Sequence, residues 1–169
     1  MTFIKALDEN LFKLAKKYSN FVVITTDLAS HACNDMFAKF FSNRRINLGL
    51  AEMNAASCAV GFNVRGKVPI VVGPAEFLAA RAWEQMKYDI CIPNLNVKFV
   101  GVGYDGTDDV ELMKLLPNMK VVCPRTEEEV VIAIENMFLH YGPMYLRLTD
   151  ALLPDIDDEK LLRRQASVL

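Results

Sequence analysis

The stretch RRINLGLAEMNAASCAVGFNVRGKVPIVV, residues 44–72, decides the fold. RRINLGL (44–50) and VPIVV (68–72) read as short strands. Between them AEMNAASCAVGFNV (51–64) reads as a helix of small residues that Gly66 ends. A strand, a helix and a strand in so short a span form a parallel crossover unit.

The same alternation runs outward in both directions. Upstream, Phe3, Leu7, Leu11, Leu14 and Tyr18 recur at helical spacing over residues 2–18. FVVITT (21–26) is a continuous apolar run ending at Asp27, and a short helix is expected over 32–41. Downstream, Ala79, Ala82, Trp83, Met86 and Ile90 make one stripe over 75–91. NVKFVGVG (96–103) is a fourth strand, 108–116 a helix stopped by Pro117, and KVVCP (120–124) a fifth strand. Thr126 and Glu129 form a capping box that opens a helix to Tyr141, and PMYLRLT (143–149) is a sixth strand. Strands that are apolar throughout, alternating with helices, predict an α/β fold: a doubly wound, mainly parallel six-stranded sheet with helices on both faces. Residues 1–150 form one domain, and 151–169 read as a C-terminal tail or linker remnant.

Composition excludes several classes. A chain of 169 residues with 52% hydrophobic and 24% charged residues is neither disordered nor collagen-like. Its apolar share points to a surface that a partner covers. Lys+Arg number 19 against 21 Asp+Glu, so no basic excess drives nucleic-acid or anionic-membrane binding. No apolar run reaches the length of a membrane span, and Lys5, Asp8 and Glu9 stand where a signal peptide is apolar. Cys33, Cys58, Cys91 and Cys123 form no CxxC pair, which suits free thiols in a reducing cytoplasm. His31 and His140 are the only histidines, too few for a zinc site or a histidine triad.

In an open parallel sheet ligands bind at the carboxyl ends of the strands. Glu52 stands there, opening the small-residue helix. It reads either as a complement to the helix dipole or as a carboxylate at the ligand edge, with Gly49, Ala51, Ala55 and Ala56 leaving room for a flat group. Gly101, Gly103 and Gly106 do not match a dinucleotide loop, and Asp105, Asp108 and Asp109 would repel phosphate. The Phe77, Trp83 and Met86 stripe reads as core. His31 is a candidate at the pocket edge, and His140 complements a helix C-terminus.

TTDLAS (25–30), NLGLAEMNAASCAVGF (47–62), RAWEQM (81–86), NVKFVGVGYDG (96–106), LLPNMKVVCP (115–124) and GPMYLRL (142–148) stand in an order and spacing that resembles the pyrimidine-binding domain of the transketolase family. The likeness spans about residues 3–150, and a stand-alone domain of this kind resembles the C-terminal section of a split enzyme. It implies a thiamine-diphosphate site in which Glu52 hydrogen-bonds a ring nitrogen of the aminopyrimidine. The carboxylate favours the imino form that removes the thiazolium proton. The resemblance also sets Asp27 near the cofactor, Asp105 on a hydroxyl of the donor sugar, and Ser30 on a substrate phosphate. Leu78 and Ala75, with Phe77 beside them, stand where the family stacks aromatic side chains on the pyrimidine.

The departures from the family are definite. Residues 102–108 carry neither of the histidines that flank the family's Gly-Asp-Gly stretch, and the loop is shorter. No diphosphate-binding element is recognisable, so Mg²⁺ and the diphosphate are assigned to a partner subunit rather than to this chain. The expected function is the pyrimidine-binding subunit of a two-carbon ketol transferase, or of a related acyloin-forming enzyme, acting on keto or sugar substrates. The expected assembly is a hetero-oligomer with a diphosphate-binding subunit, a homodimer, or both. The alternatives are a non-catalytic regulatory or structural family member and a flavodoxin-like module unrelated to thiamine.

Overall fold

The structure, a computed structural model, describes residues 3–26, 33, 36–103 and 108–149. The apolar run predicted over 21–26 forms β1 (Phe21–Thr25), and every one of its side chains is buried. It therefore lies inside the sheet, paired with β2 (Arg45–Asn47) on one side and β3 (Val68–Pro74) on the other. β4 (Lys98–Gly103), β6 (Met144–Thr149) and β5 (Lys120–Val122) continue it, giving the order β2-β1-β3-β4-β6-β5. Each pairing is parallel, so the sheet is wholly rather than mainly parallel. The two edge strands are shorter than their sequences suggested. Gly49 turns at φ +75° soon after β2, and Pro124 has no N–H to extend the β5 ladder.

The helices divide between the two faces. α1 (Phe3–Lys17), α2 (Met36–Phe40) and α7 (Glu127–Leu139) pack on one face through Leu7, Leu11, Phe37, Val130 and Ile134. α3 (Glu52–Val64), α4 (Ala75–Arg81), the single turn α5 (Trp83–Gln85) and α6 (Asp109–Lys114) cover the other through Ala55, Ala56, Ala59, Leu78 and Met113. The capping box is formed as expected: Thr126 Oγ1 accepts from Glu129 N at 3.2 Å, and Glu129 accepts from Arg125 N at 2.6 Å.

The helix expected over 75–91 is not continuous. α4 stops at Ala82, and the chain passes through α5 into a π-helical turn, Met86–Cys91. Trp83 donates its indole N–H to Leu112 O at 3.1 Å, a contact with α6 that no local pattern encodes. A buried Asp8 on α1 accepts from Met36 N and Phe37 N, at 2.6 and 3.1 Å, and so caps α2 from another helix.

From β1 the chain crosses to β2 over one face, and from β2 to β3 over the other. The chain leaves β1 toward β2 and β3 toward β4, and in an open parallel sheet the carboxyl ends of two such strands are where a ligand crevice is expected.

Candidate active site

The crevice is lined from three directions. Gly49 turns the chain out of β2, with its N–H on Asn47 Oδ1 at 3.0 Å, and α3 then starts at Glu52. The small buried faces of Ala55, Ala56 and Ala59 let α3 settle close on the sheet, which carries Glu52 inward until it is only 1% exposed. From β3, Gly73 leads into α4. A Cβ at Gly73 would stand 3.0 Å from Leu78 Cγ and 3.2 Å from Thr26 Oγ1, so the ends of β1 and β3 and the buried Leu78 converge at that point. Thr25 and Thr26 at the end of β1 are buried, and neither hydroxyl has a partner among the described residues.

Glu52 has one partner and one open oxygen. Oε2 accepts from Arg81 Nη1 at 3.3 Å, and Oε1 is buried with no hydrogen-bond partner among the described residues. A buried carboxylate oxygen without a donor costs free energy unless a ligand completes it. The Arg81 guanidinium also lies 4.0 Å from the centroid of the half-buried Phe77 ring.

Of the residues expected at the site, Glu52 and Phe77 are linked through Arg81, and Leu78 stands beside Gly73 at the end of β3. Asp27, Ser30 and Asp105 lie outside the described residues, as does His31. Sequence reading missed Arg81. Its distance from Glu52 in the chain hides the pair, and only the four-residue spacing from Phe77 on one helix face was available as a signal.

A second group was missed at the neighbouring strand ends. Asp109, the first residue of α6, accepts from Tyr145 OH at 2.6 Å and is paired with Arg147 Nε at 2.8 Å. Arg147 Nη1 also donates to Gly103 O at 3.1 Å, so one guanidinium ties the end of β4 to the start of α6. Burial and the Asp109 carboxylate push the Tyr145 hydroxyl well above its usual pKa. His140 is no cationic complement to the end of α7, because burial and the Lys98 and Lys120 charges push its pKa down. Among the described residues no three His, Cys, Asp or Glu side chains gather as a metal site, and no helix is long and apolar enough to cross a membrane.

Known proteins resemble this chain in sequence and fold. The family model for the transketolase pyrimidine binding domain matches residues 1–155. The chain is 32% identical over 174 residues to an apulose-4-phosphate transketolase subunit of Actinobacillus succinogenes, covering 95% of this chain and 56% of that protein. It is 31% identical over 157 residues to 1-deoxy-D-xylulose-5-phosphate synthase of Parasynechococcus marenigrum, covering 87% of this chain and 24% of that one. Among solved structures, a split-gene transketolase described as an inactive β4 tetramer superimposes with a TM-score of 0.83 at 31% identity, over 92% of this chain and 53% of that one. The chain spans about half the length of the split-transketolase relatives it matches. With a parallel sheet of this order, an acidic residue opening the small-residue helix, and a family match over nearly its whole described length, the chain belongs to the transketolase pyrimidine-binding-domain family.

Proposed function

We propose that this chain is the pyrimidine-binding part of a thiamine-diphosphate-dependent, transketolase-like transferase that moves a two-carbon ketol unit between keto or sugar substrates. The observation that carries the reading is the open Oε1 of Glu52, a buried acceptor at the carboxyl edge of the sheet. An aminopyrimidine ring fits that donor deficit: Glu52 Oε1 would accept from a protonated ring nitrogen, and Leu78 and Phe77 would supply apolar packing. When bound, the cofactor supplies the nucleophilic carbon of the reaction. Glu52 contributes a fixed negative charge that holds a proton on the ring nitrogen, and the buried setting strengthens that one hydrogen bond. Leu78 and the alanines of α3 exclude water from the carboxylate. Asp27 near the cofactor, and Ser30 and Asp105 on the substrate, complete the proposed set.

The diphosphate and its Mg²⁺ fall to a second subunit in this reading. The contact surface proposed for that partner is the outer side of α3 with the turn before it, where Leu50, Met53 and Val64 are exposed and no charged residue follows Glu52 within the helix. The free thiols Cys33, Cys58, Cys91 and Cys123 are in keeping with a cytoplasmic setting. The relative described as an inactive β4 tetramer favours a second state, in which this chain alone associates with its own copies and has no activity.

The test is calorimetry with thiamine diphosphate and Mg²⁺, on the chain alone and on the chain co-purified with a diphosphate-binding transketolase subunit. Binding and ketol transfer are expected in the complex, with weak or no binding to the chain alone. Tight binding to the isolated chain would overturn the division of labour. A complex that forms but neither binds nor turns over would leave a structural or regulatory role.

A further inference from the structure

Arg81 is the last residue of α4 and Phe77 stands one turn before it on the same face. The guanidinium lies over the Phe77 ring and reaches across to α3, where it meets Oε2 of Glu52 but not Oε1. We propose that Arg81 is the positioning residue of Glu52. Braced by Phe77, it pins one carboxylate oxygen and leaves the other open to the crevice. The inference rests on the reading of Glu52 as the pyrimidine's carboxylate, and it adds a residue that acts through Glu52 rather than on the ligand.

The physical case has three parts. A glutamate side chain has three rotatable bonds, and at the first turn of a helix its own backbone does not fix them. A buried carboxylate is also costly without a counter-charge, and Arg81 is the cation it meets among the described residues. Arginine suits the task better than lysine, because a planar guanidinium stacks on an aromatic ring and donates along a fixed direction at once. An ordinary surface ion pair would need neither the ring behind it nor an empty second oxygen in front. Arg81 is itself half-exposed, which screens the pair in part, but its removal would leave the buried Glu52 without a counter-charge as well as free to point elsewhere.

Two experiments decide the proposal. In the chain alone, NMR of the arginine side chains should give a distinct, slowly exchanging Arg81 Nη–H signal that is lost in Glu52→Ala and weakened in Phe77→Ala. A signal unchanged by Glu52→Ala would overturn the inference. In the complex with the diphosphate-binding subunit, Arg81→Met should lower kcat on the order of tenfold to a hundredfold, the usual cost of slightly misplacing a reacting group. KM for the ketose donor should stay near its wild-type value, while Tm falls because Glu52 is left buried without its counter-charge. Arg81→Lys should recover part of the loss, and added guanidinium ion should recover part of the loss in Arg81→Ala. Full activity in Arg81→Met with an inactive Glu52→Gln would overturn the Arg81 assignment alone. An active Glu52→Gln would overturn the reading of Glu52 beneath it.

Discussion

Tyr145 lays its ring across Gly101 of the neighbouring strand, so that a side chain on Gly101 would begin inside the Tyr145 hydroxyl and ring. The glycines of the GVG segment, which do not match a dinucleotide loop in sequence, thus sit beside the buried side chains of β6. Gly101 leaves room for Tyr145 to reach Asp109, and Gly103 passes beside Arg147. Gly101→Ala should therefore destabilise the chain by about 1–3 kcal/mol, the usual cost of overpacking a filled interior. Urea melts would measure it, and a variant as stable as the wild type would show that Tyr145 lies elsewhere.

Arg147 and Asp109 are buried together, 2.8 Å apart. Removing one charge strands the other away from water. Asp109→Asn and Arg147→Met should each cost about 3–5 kcal/mol. The double variant should cost less than the sum of the two, because neither charge is then stranded. A double-mutant cycle by chemical denaturation gives the coupling directly. Additive losses would mean the pair is not coupled.

Lys98 is fully buried, and its Nζ donates to His140 O at 2.8 Å and Gly142 O at 2.6 Å. Burial, with Lys120 nearby, pushes its pKa down from 10.5 to about 7. The unfolded chain then holds a proton on Lys98 that the folded chain releases between about 7 and 10.5. Stability from this group should rise with pH across that window, by at most about 1.4 kcal/mol per pH unit, and be flat below it. His140, held below its usual 6.5 by burial and the same lysines, adds a rise of the same sign at lower pH. Thermal melts of wild type and Lys98→Met from pH 6 to 10 should show the alkaline rise in the wild type only. A Lys98→Met curve with the same slope would assign the rise to other groups.

Glu52→Gln should leave the fold intact, because glutamine fills the same volume. It cannot supply the charge that holds the ring nitrogen protonated. In the complex, kcat should fall on the order of a hundredfold or more, with a smaller change in KM. C2–H exchange of bound cofactor, followed by NMR, is the direct measurement. Equal exchange rates in the two proteins would reduce Glu52 to a helix-capping acid.

The main elements were legible because their causes are local. An all-apolar run such as 21–25 has no stable place except a doubly covered strand, and Thr126 with Glu129 starts a helix from their own four residues. Glu52 was legible for the same reason: strand, glycine turn and small-residue helix follow one another directly, which places the first helical side chain at the sheet's carboxyl edge. The interrupted 75–91 helix was not legible. Its apolar stripe keeps helical spacing throughout, and the break coincides with a distant contact, Trp83 on Leu112 O, that the stripe does not contain.

By itself, then, the sequence determined the order of strands and helices, the covered parallel sheet and the carboxylate at its edge, all of which follow from periodicity and turn chemistry within a few residues. Only the tertiary structure decided what those residues meet. Arg81 reaches Glu52 across 29 positions, Tyr145 reaches Asp109 across 36, and Lys98 reaches the carbonyls of His140 and Gly142 across 42 and 44. These partners are far apart in the chain and share no period, so no local pattern records them. They are set by the parallel register and by which face each crossover takes, and those are choices the whole core makes at once.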